Sequence, residues 1–277
     1  MVAPVPSVGV GYGAERPPSH VRAAFGLTTA GDDDGEQLPG AAVWRYGDVV
    51  LRKVADRAHA VWLARTLAAL DAPGLRIARP LNTTDGRWVM GGWGASRFVS
   101  GRPENRPDDT VLTAIKLQRA TADLPEPEFL AGRQGIAAHA ERMAWGEVDI
   151  ELDEANGGRW FEILAPARKP LSSRPQVVHG ELFGTVLFDG DAPPGIVDLV
   201  PHFRPAEWGA AVAAIDAVAW GGADMTLLHR WSYLPDWAQL LLRATLFRLA
   251  YHARHPGSAD VGATRLRAAA ARVSELL

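Results

Sequence analysis

The residues best suited to chemistry fall in one stretch, VVHGELFGTVLFDGDAPPGIVDL, residues 177–199. It holds one imidazole, His179, a hydroxyl, Thr185, and four carboxylates, of which Glu181 and Asp198 flank the central strand and turn formed around Asp189 and Asp191. Carboxylates can accept a proton or hold a hard cation, so oxygen-based chemistry is the kind this set can do. The stretch reads as a β-like island, with extended runs at 177–178, 185–188 and 195–199 and a turn at Asp189-Gly190-Asp191. Loops held by rigid strands are where functional groups concentrate. Taken alone, a His-Gly-Glu turn, an apolar strand and an Asp also describe an ordinary turn and strand pair.

Other polar clusters offer less. The acidic run 147–154 lacks aspartates at calcium-loop spacing and reads as a solvated surface. His229, His252 and His255 lack the spacing of a zinc site. Arg168, Lys169 and Arg174 read as a soluble surface or as cover for an anionic ligand. There is no cysteine, which excludes thiolate catalysis, disulfides and cysteine-ligated metals and fits a reducing cytoplasm.

These residues must be positioned by a chain of 277 residues, long enough for one large domain or two lobes. Hydrophobic residues at 47% and ten tryptophans describe a globular protein. A net charge of −3 provides no field to collect nucleic acid or an anionic membrane, so neither is expected as a partner. The first residues do not read as a secretory signal, and no run of 18 apolar residues suggests a membrane span.

Residues 1–18, rich in Pro and Gly, suggest a flexible extension, with a short helix at 20–25. After a polar break at 31–35, strands at 42–46 and 49–54 joined by Tyr46-Gly47-Asp48 predict a hairpin. The spacing of Ala58, Val61, Trp62, Leu63, Leu67 and Leu70 predicts a helix over 58–70. Extended segments at 76–81 and 87–99 complete a small mixed lobe. Beyond Gly101 the character becomes helical, with helices at 109–122, 129–142, 208–220 and 235–253. The domains expected are therefore the extension 1–18, a β-rich lobe 19–99 and a helical lobe 100–277. The tryptophans at 44, 62, 88 and 93 read as core more than as stacking platforms, with Trp93 near the lobe junction the least settled.

The string 177–199 resembles the HGDxxxxNxL…(I/V)D pattern of the aminoglycoside phosphotransferase and choline kinase family. WRYGDVVLR, GRWVMGGWGASRF and HGELFGTVLF more narrowly resemble an actinobacterial branch of kinase-like proteins. The resemblance runs from about residue 19 to 255. It implies an α+β, bilobal protein-kinase-like fold, with a small mixed N-lobe of sheet and helix and a larger, mainly helical C-lobe. It also implies magnesium with ATP or GTP as cofactor and a small-molecule acceptor.

Carried over residue by residue, the resemblance places Glu181 where an Asp orients the acceptor hydroxyl. Thr185 stands where an Asn holds metal, and Asp198 where an Asp chelates magnesium on the nucleotide. Two of these three are substituted, and the loop is one residue shorter than the commonest pattern. His179 then supports the loop, and Asp216 is the helix Asp that braces it. Val50-Leu51-Arg52 matches the strand that carries the phosphate-binding cation, favouring Arg52 with Lys53 as the fallback. His59 lies near the place of the paired glutamate, and Asp56 is the nearest carboxylate. No GxGxxG occurs, and the only candidate phosphate cover is 37–41. Residues 96–103 look like the hinge whose backbone meets the adenine, placing Ser96 and Phe98 there. Two functions follow: a nucleotide-dependent small-molecule phosphotransferase with a degenerate site, or a pseudokinase that binds a ligand or protein partner.

Overall fold

The computed structural model describes residues 15–27, 35–39, 42–154, 157–255 and 260–277. Most of the expected extension, the aspartates at 32–34, and Gly40 and Ala41 of the candidate phosphate cover lie outside the described residues.

Along the chain come α1 (Ser19–Ala24), β1 (Glu36–Gln37), β2 (Val43–Tyr46), β3 (Val49–Lys53), α2 (Arg57–Ala69), β4 (Arg76–Ile77), β5 (Pro80–Leu81), β6 (Val89–Met90), β7 (Trp93–Arg97) and β8 (Arg102–Pro103). There follow α3 (Pro107–Ala120), α4 (Ile136–Trp145), α5 (Gly158–Leu164), β9 (Pro175–His179), β10 (Leu187–Phe188), β11 (Gly195–Ile196) and β12 (Pro201–Pro205). The chain closes with α6 (Trp208–Ala219), α7 (Leu227–Arg230), α8 (Trp237–Arg254) and α9 (Asp260–Ser274). The described residues form two compact units. One runs to Arg102 and includes Leu187–Leu199; the other holds Pro103–Val186 and Val200–Leu277.

The first unit is built on an antiparallel sheet of order β1-β2-β3-β7-β5, with β6 also on β7. Alternation along β3 sends Val49 and Leu51 to one face. There they form a core with Val21 and Phe25 of α1, Tyr46, Trp93 and Ala95. Trp93 is fully buried in that core, which settles it as packing and not as a stacking platform. Helix α2 begins where Asp56 accepts the N–H groups of Ala58 (2.8 Å) and His59 (3.2 Å) on its side chain. Such a cap contributes about 1 kcal/mol and explains the start of the helix. In the same unit β10 and β11 form a hairpin, and β11 runs parallel to β4 with Gly195 opposite Arg76.

The second unit is mainly helical, around a single two-stranded ladder, β9 with β12, in which His179 lies opposite Pro201 and Pro175 opposite Pro205. Every residue of α6 is buried, as is α8 from Leu240 to His252. Helices buried all round form the centre of a domain. α6 packs on α3, α8 and α9, and α8 packs on α4.

Several elements differ from the sequence expectation for local reasons. The helix expected at 129–142 starts at Ile136, because a 3-10 turn at Glu128–Leu130 precedes it and Gly135 takes a φ of +98°. The strand β12 is bounded by Pro201 and Pro205, residues that read against a strand. The extended segment 76–81 is split between two sheets. Helices α5, α7 and α9 were not anticipated. α9 buries mainly small residues, Ala263, Ala269 and Ala270, beside Leu266 and Val273, which gives a weak periodic signal.

Candidate functional site

Strand β9 ends at His179, and the chain turns at Gly180 to present Glu181. His179 is buried, and its Nδ1 accepts the backbone N–H of Glu181 at 3.0 Å. The turn is fixed a second time from below. Asp216, at 0% exposure in α6, takes two hydrogen bonds from Arg248 of α8, Nε to Oδ1 at 2.6 Å and Nη2 to Oδ2 at 2.5 Å. The same Nη2 donates to the Gly180 carbonyl at 3.2 Å. Burial acts to lower the Arg248 pKa, but the Asp216 carboxylate and, with less effect, Glu181 raise it, so the guanidinium is held charged. Burial and then the Glu181 carboxylate push the Tyr251 hydroxyl up, so Glu181 acts on both neighbours from α8.

The sequence singled out Asp216 but missed Arg248, the residue through which it acts. The available signal was a guanidinium set directly between Phe247 and Leu249.

A side chain at Gly180 would have no room, because a Cβ there lies 2.3 Å from His202 Nε2. His202 cannot yield easily, since its Nδ1 lies 2.9 Å from Glu141 and its ring packs edge-on against Trp208. Gly180→Ala is therefore expected to destabilise the protein by about 1–3 kcal/mol, as overpacking does. Urea unfolding would show it, and an unchanged midpoint would contradict it.

Glu141 itself accepts Arg204 Nε at 2.6 Å. Burial alone would raise its pKa, but His202 and Arg204 overcome this and bring it down to about 2. A folded pKa below the unfolded one means that the stabilisation is complete above the ordinary carboxylate range and is lost as the pH falls towards 2. Acid unfolding followed by circular dichroism should thus be steep between about pH 4.5 and 2 and visibly flatter in Glu141→Gln.

Thr185 is half-buried, and its hydroxyl lies 2.8 Å from the Glu181 carbonyl and 3.0 Å from that of Leu182. Its proton is used within the turn, which leaves the oxygen lone pairs as the part able to meet a cation. His179, Glu181, Thr185 and Asp216 all belong to the helical unit.

The remaining candidates belong to the sheet unit. Asp198 follows β11 and is half-buried; its Oδ1 accepts the N–H of Leu199 at 2.8 Å. His59 Nε2 lies 3.1 Å from the Leu199 carbonyl. The α2 residue at the place of a paired glutamate thus binds the backbone beside Asp198. Asp56 is the helix cap and takes no part in such a pair.

On β3 the two cations part company. Lys53 pairs with Glu15 at 2.7 Å and sits 5.3 Å from the Trp93 ring centre, on the side of Val49 and Leu51. Arg52 is exposed, opposite Val43 and Gly94, and has no ionic or hydrogen-bonding partner among the described residues. Ser96 shares that face, opposite Val50 and Pro80. Phe98 lies under the Arg45 guanidinium, 3.6 Å from its ring centre, and donates its N–H to the Asp48 carbonyl at 2.7 Å. Downstream, Gly101 has a φ of +105°, and a Cβ there would lie 2.5 Å from the Phe188 carbonyl, which makes the glycine obligatory.

Among the described residues no group of three or more His, Asp or Glu side chains could hold a metal ion, and no helix is long and apolar enough to cross a membrane.

No protein-family model matches the sequence, and no curated protein matches it. Solved structures do. A thermostable mutant of aminoglycoside phosphotransferase APH(4)-Ia, in ternary complex with AMP-PNP and hygromycin B, is 15% identical with a TM-score of 0.58, over 93% of this chain and 98% of that one. A fructosamine-3-kinase candidate from Thermobifida fusca is 16% identical with a TM-score of 0.55, over 93% and 98%. The choline kinase LicA from Streptococcus pneumoniae is 11% identical with a TM-score of 0.50, over 87% and 94%. With identities this low the likeness speaks to architecture, and the chain has the α+β, protein-kinase-like fold of the aminoglycoside phosphotransferases and choline kinases.

Proposed function

We propose that the protein is a phosphotransferase that moves a phosphoryl group from a nucleotide to a hydroxyl of a small molecule. The observation that carries this reading is the double bracing of the Glu181 turn, by His179 on its N–H and by the Asp216–Arg248 pair on the Gly180 carbonyl. A buried ion pair adds little net stability over apolar packing of the same volume. It does fix a backbone position, and phosphoryl transfer depends on positioning and electrostatics.

Glu181 would orient the acceptor hydroxyl and take its proton. Asp198 offers a hard carboxylate with Oδ2 unpartnered among the described residues, and Thr185 offers a hydroxyl oxygen. A carboxylate such as Asp198 suits magnesium, which needs only one or two of them when substrate phosphates and water complete its shell. Bound with ATP or GTP, the ion would neutralise charge on the phosphates. Arg52 would steady those phosphates, because Lys53 is held by Glu15. Ser96 and Phe98 would border the adenine.

A second reading, a pseudokinase, is favoured by the inward engagement of Thr185 and by His59 in place of a glutamate. A transfer assay separates the two. The protein with magnesium and ATP or GTP is offered a panel of aminosugars, choline and other small hydroxylated amines. Transfer to at least one is expected, with kcat about a hundredfold lower in Glu181→Gln at unchanged stability. Nucleotide binding without transfer to any acceptor would instead establish the pseudokinase.

A further inference from the structure

Asp198 stands just past the end of a ladder. β11 is held on β4 as far as Ile196, whose carbonyl accepts the Ala78 N–H at 2.9 Å. Beyond it, the Leu199 backbone is held at both polar groups. Its N–H goes to Asp198 Oδ1 at 2.8 Å, and its carbonyl meets His59 Nε2 at 3.1 Å. The next tie along the chain, from the Gly180 N–H to the Val200 carbonyl at 3.0 Å, belongs to the helical unit. Within the sheet unit, Asp198 therefore lies between two fixed carbonyls, one held through β4 and one by α2.

A carbonyl only accepts, so the ring nitrogen facing Leu199 carries the hydrogen. His59 is itself held in place. It is the third residue of α2, and its own N–H is taken by Asp56 Oδ1 at 3.2 Å. The far end of α2 is fixed by Arg79 Nη1, which donates to the carbonyls of Leu67 at 2.7 Å and Leu70 at 2.8 Å. The His59 side chain is half-buried and Leu199 fully buried, so losing the bond would strand a carbonyl away from water. An ionised glutamate at this position could not replace it, because a carboxylate has no hydrogen to donate. His59 thus does something that a paired glutamate cannot.

We propose that His59 is a positioning residue for the metal site. It fixes the Leu199 carbonyl, and through the Leu199 peptide it holds the Asp198 carboxylate with Oδ1 engaged by the backbone and Oδ2 kept for the cation. This rests on the phosphotransferase reading, in which Asp198 meets magnesium on the nucleotide. Magnesium demands near-octahedral geometry, so a carboxylate slightly out of place holds it poorly. Groups that orient a metal ligand typically account for about 10–100-fold in affinity.

The test is calorimetric titration of ATP and of GTP, with and without magnesium, into the full chain and into His59→Ala, His59→Gln and His59→Glu. Urea unfolding establishes that each variant is folded. The readout is the ratio of affinities with and without magnesium, because a general loosening of the nucleotide site lowers both and leaves the ratio. The ratio is expected to fall at least tenfold in His59→Ala and His59→Glu and to return in His59→Gln, whose amide N–H stands in for Nε2–H. Should His59→Ala not fold, His59→Glu and His59→Gln carry the comparison. A ratio unchanged in His59→Ala, raised in His59→Glu, or not recovered in His59→Gln overturns the proposal and leaves the phosphotransferase reading in place. A native protein without any magnesium effect overturns that reading, and the role of His59 with it.

Discussion

Arg248→Met is expected to lower the free energy of unfolding by about 3–5 kcal/mol, because it leaves the fully buried Asp216 carboxylate without a partner. The loss comes mostly from the stranded charge and less from the missing bonds. The double variant Asp216→Leu with Arg248→Met should therefore recover much of it, since apolar side chains can fill the space of a buried pair. Phosphoryl transfer should not recover with it, because the Gly180 carbonyl still lacks the donor that fixes the Glu181 turn. Urea unfolding of the single and double variants, with transfer rates on each, separates the two effects. A single variant losing less than about 1 kcal/mol would show that the pair does not brace this turn.

Local patterns made part of this architecture legible. The apolar strands on either side of Tyr46-Gly47-Asp48 gave the hairpin, and the spacing from Ala58 to Leu70 gave α2. The family-like string placed a carboxylate turn, and the resemblance singled out Asp216, which is buried in α6. What stayed hidden depends on tertiary contact. Arg248 looks like one more polar position on α8 until α6 is packed against it. His59 meets the Leu199 carbonyl 140 positions away, which no local spacing encodes. His202, the wall that makes Gly180 obligatory, lies on a strand disguised by its flanking prolines. Alternation along β3 could not foresee the pairing of Lys53 with Glu15, which comes from outside the sheet.

Asp198 carries the central claim, because it is the one metal-binding position of the family-like string that remains a carboxylate. Removing it should abolish metal-dependent nucleotide binding while leaving stability nearly unchanged, since the only protein bond its side chain makes among the described residues is to the next N–H. Magnesium held by one carboxylate and substrate phosphates loses its only charged protein ligand when that carboxylate goes. The direct measurement is calorimetric titration of ATP and of GTP, with and without magnesium, into the native protein and Asp198→Ala. The native protein should bind at least one nucleotide, more tightly with magnesium, and Asp198→Ala should show no magnesium effect. No heat with either nucleotide in any condition, or a magnesium effect that survives in Asp198→Ala, would contradict the assignment.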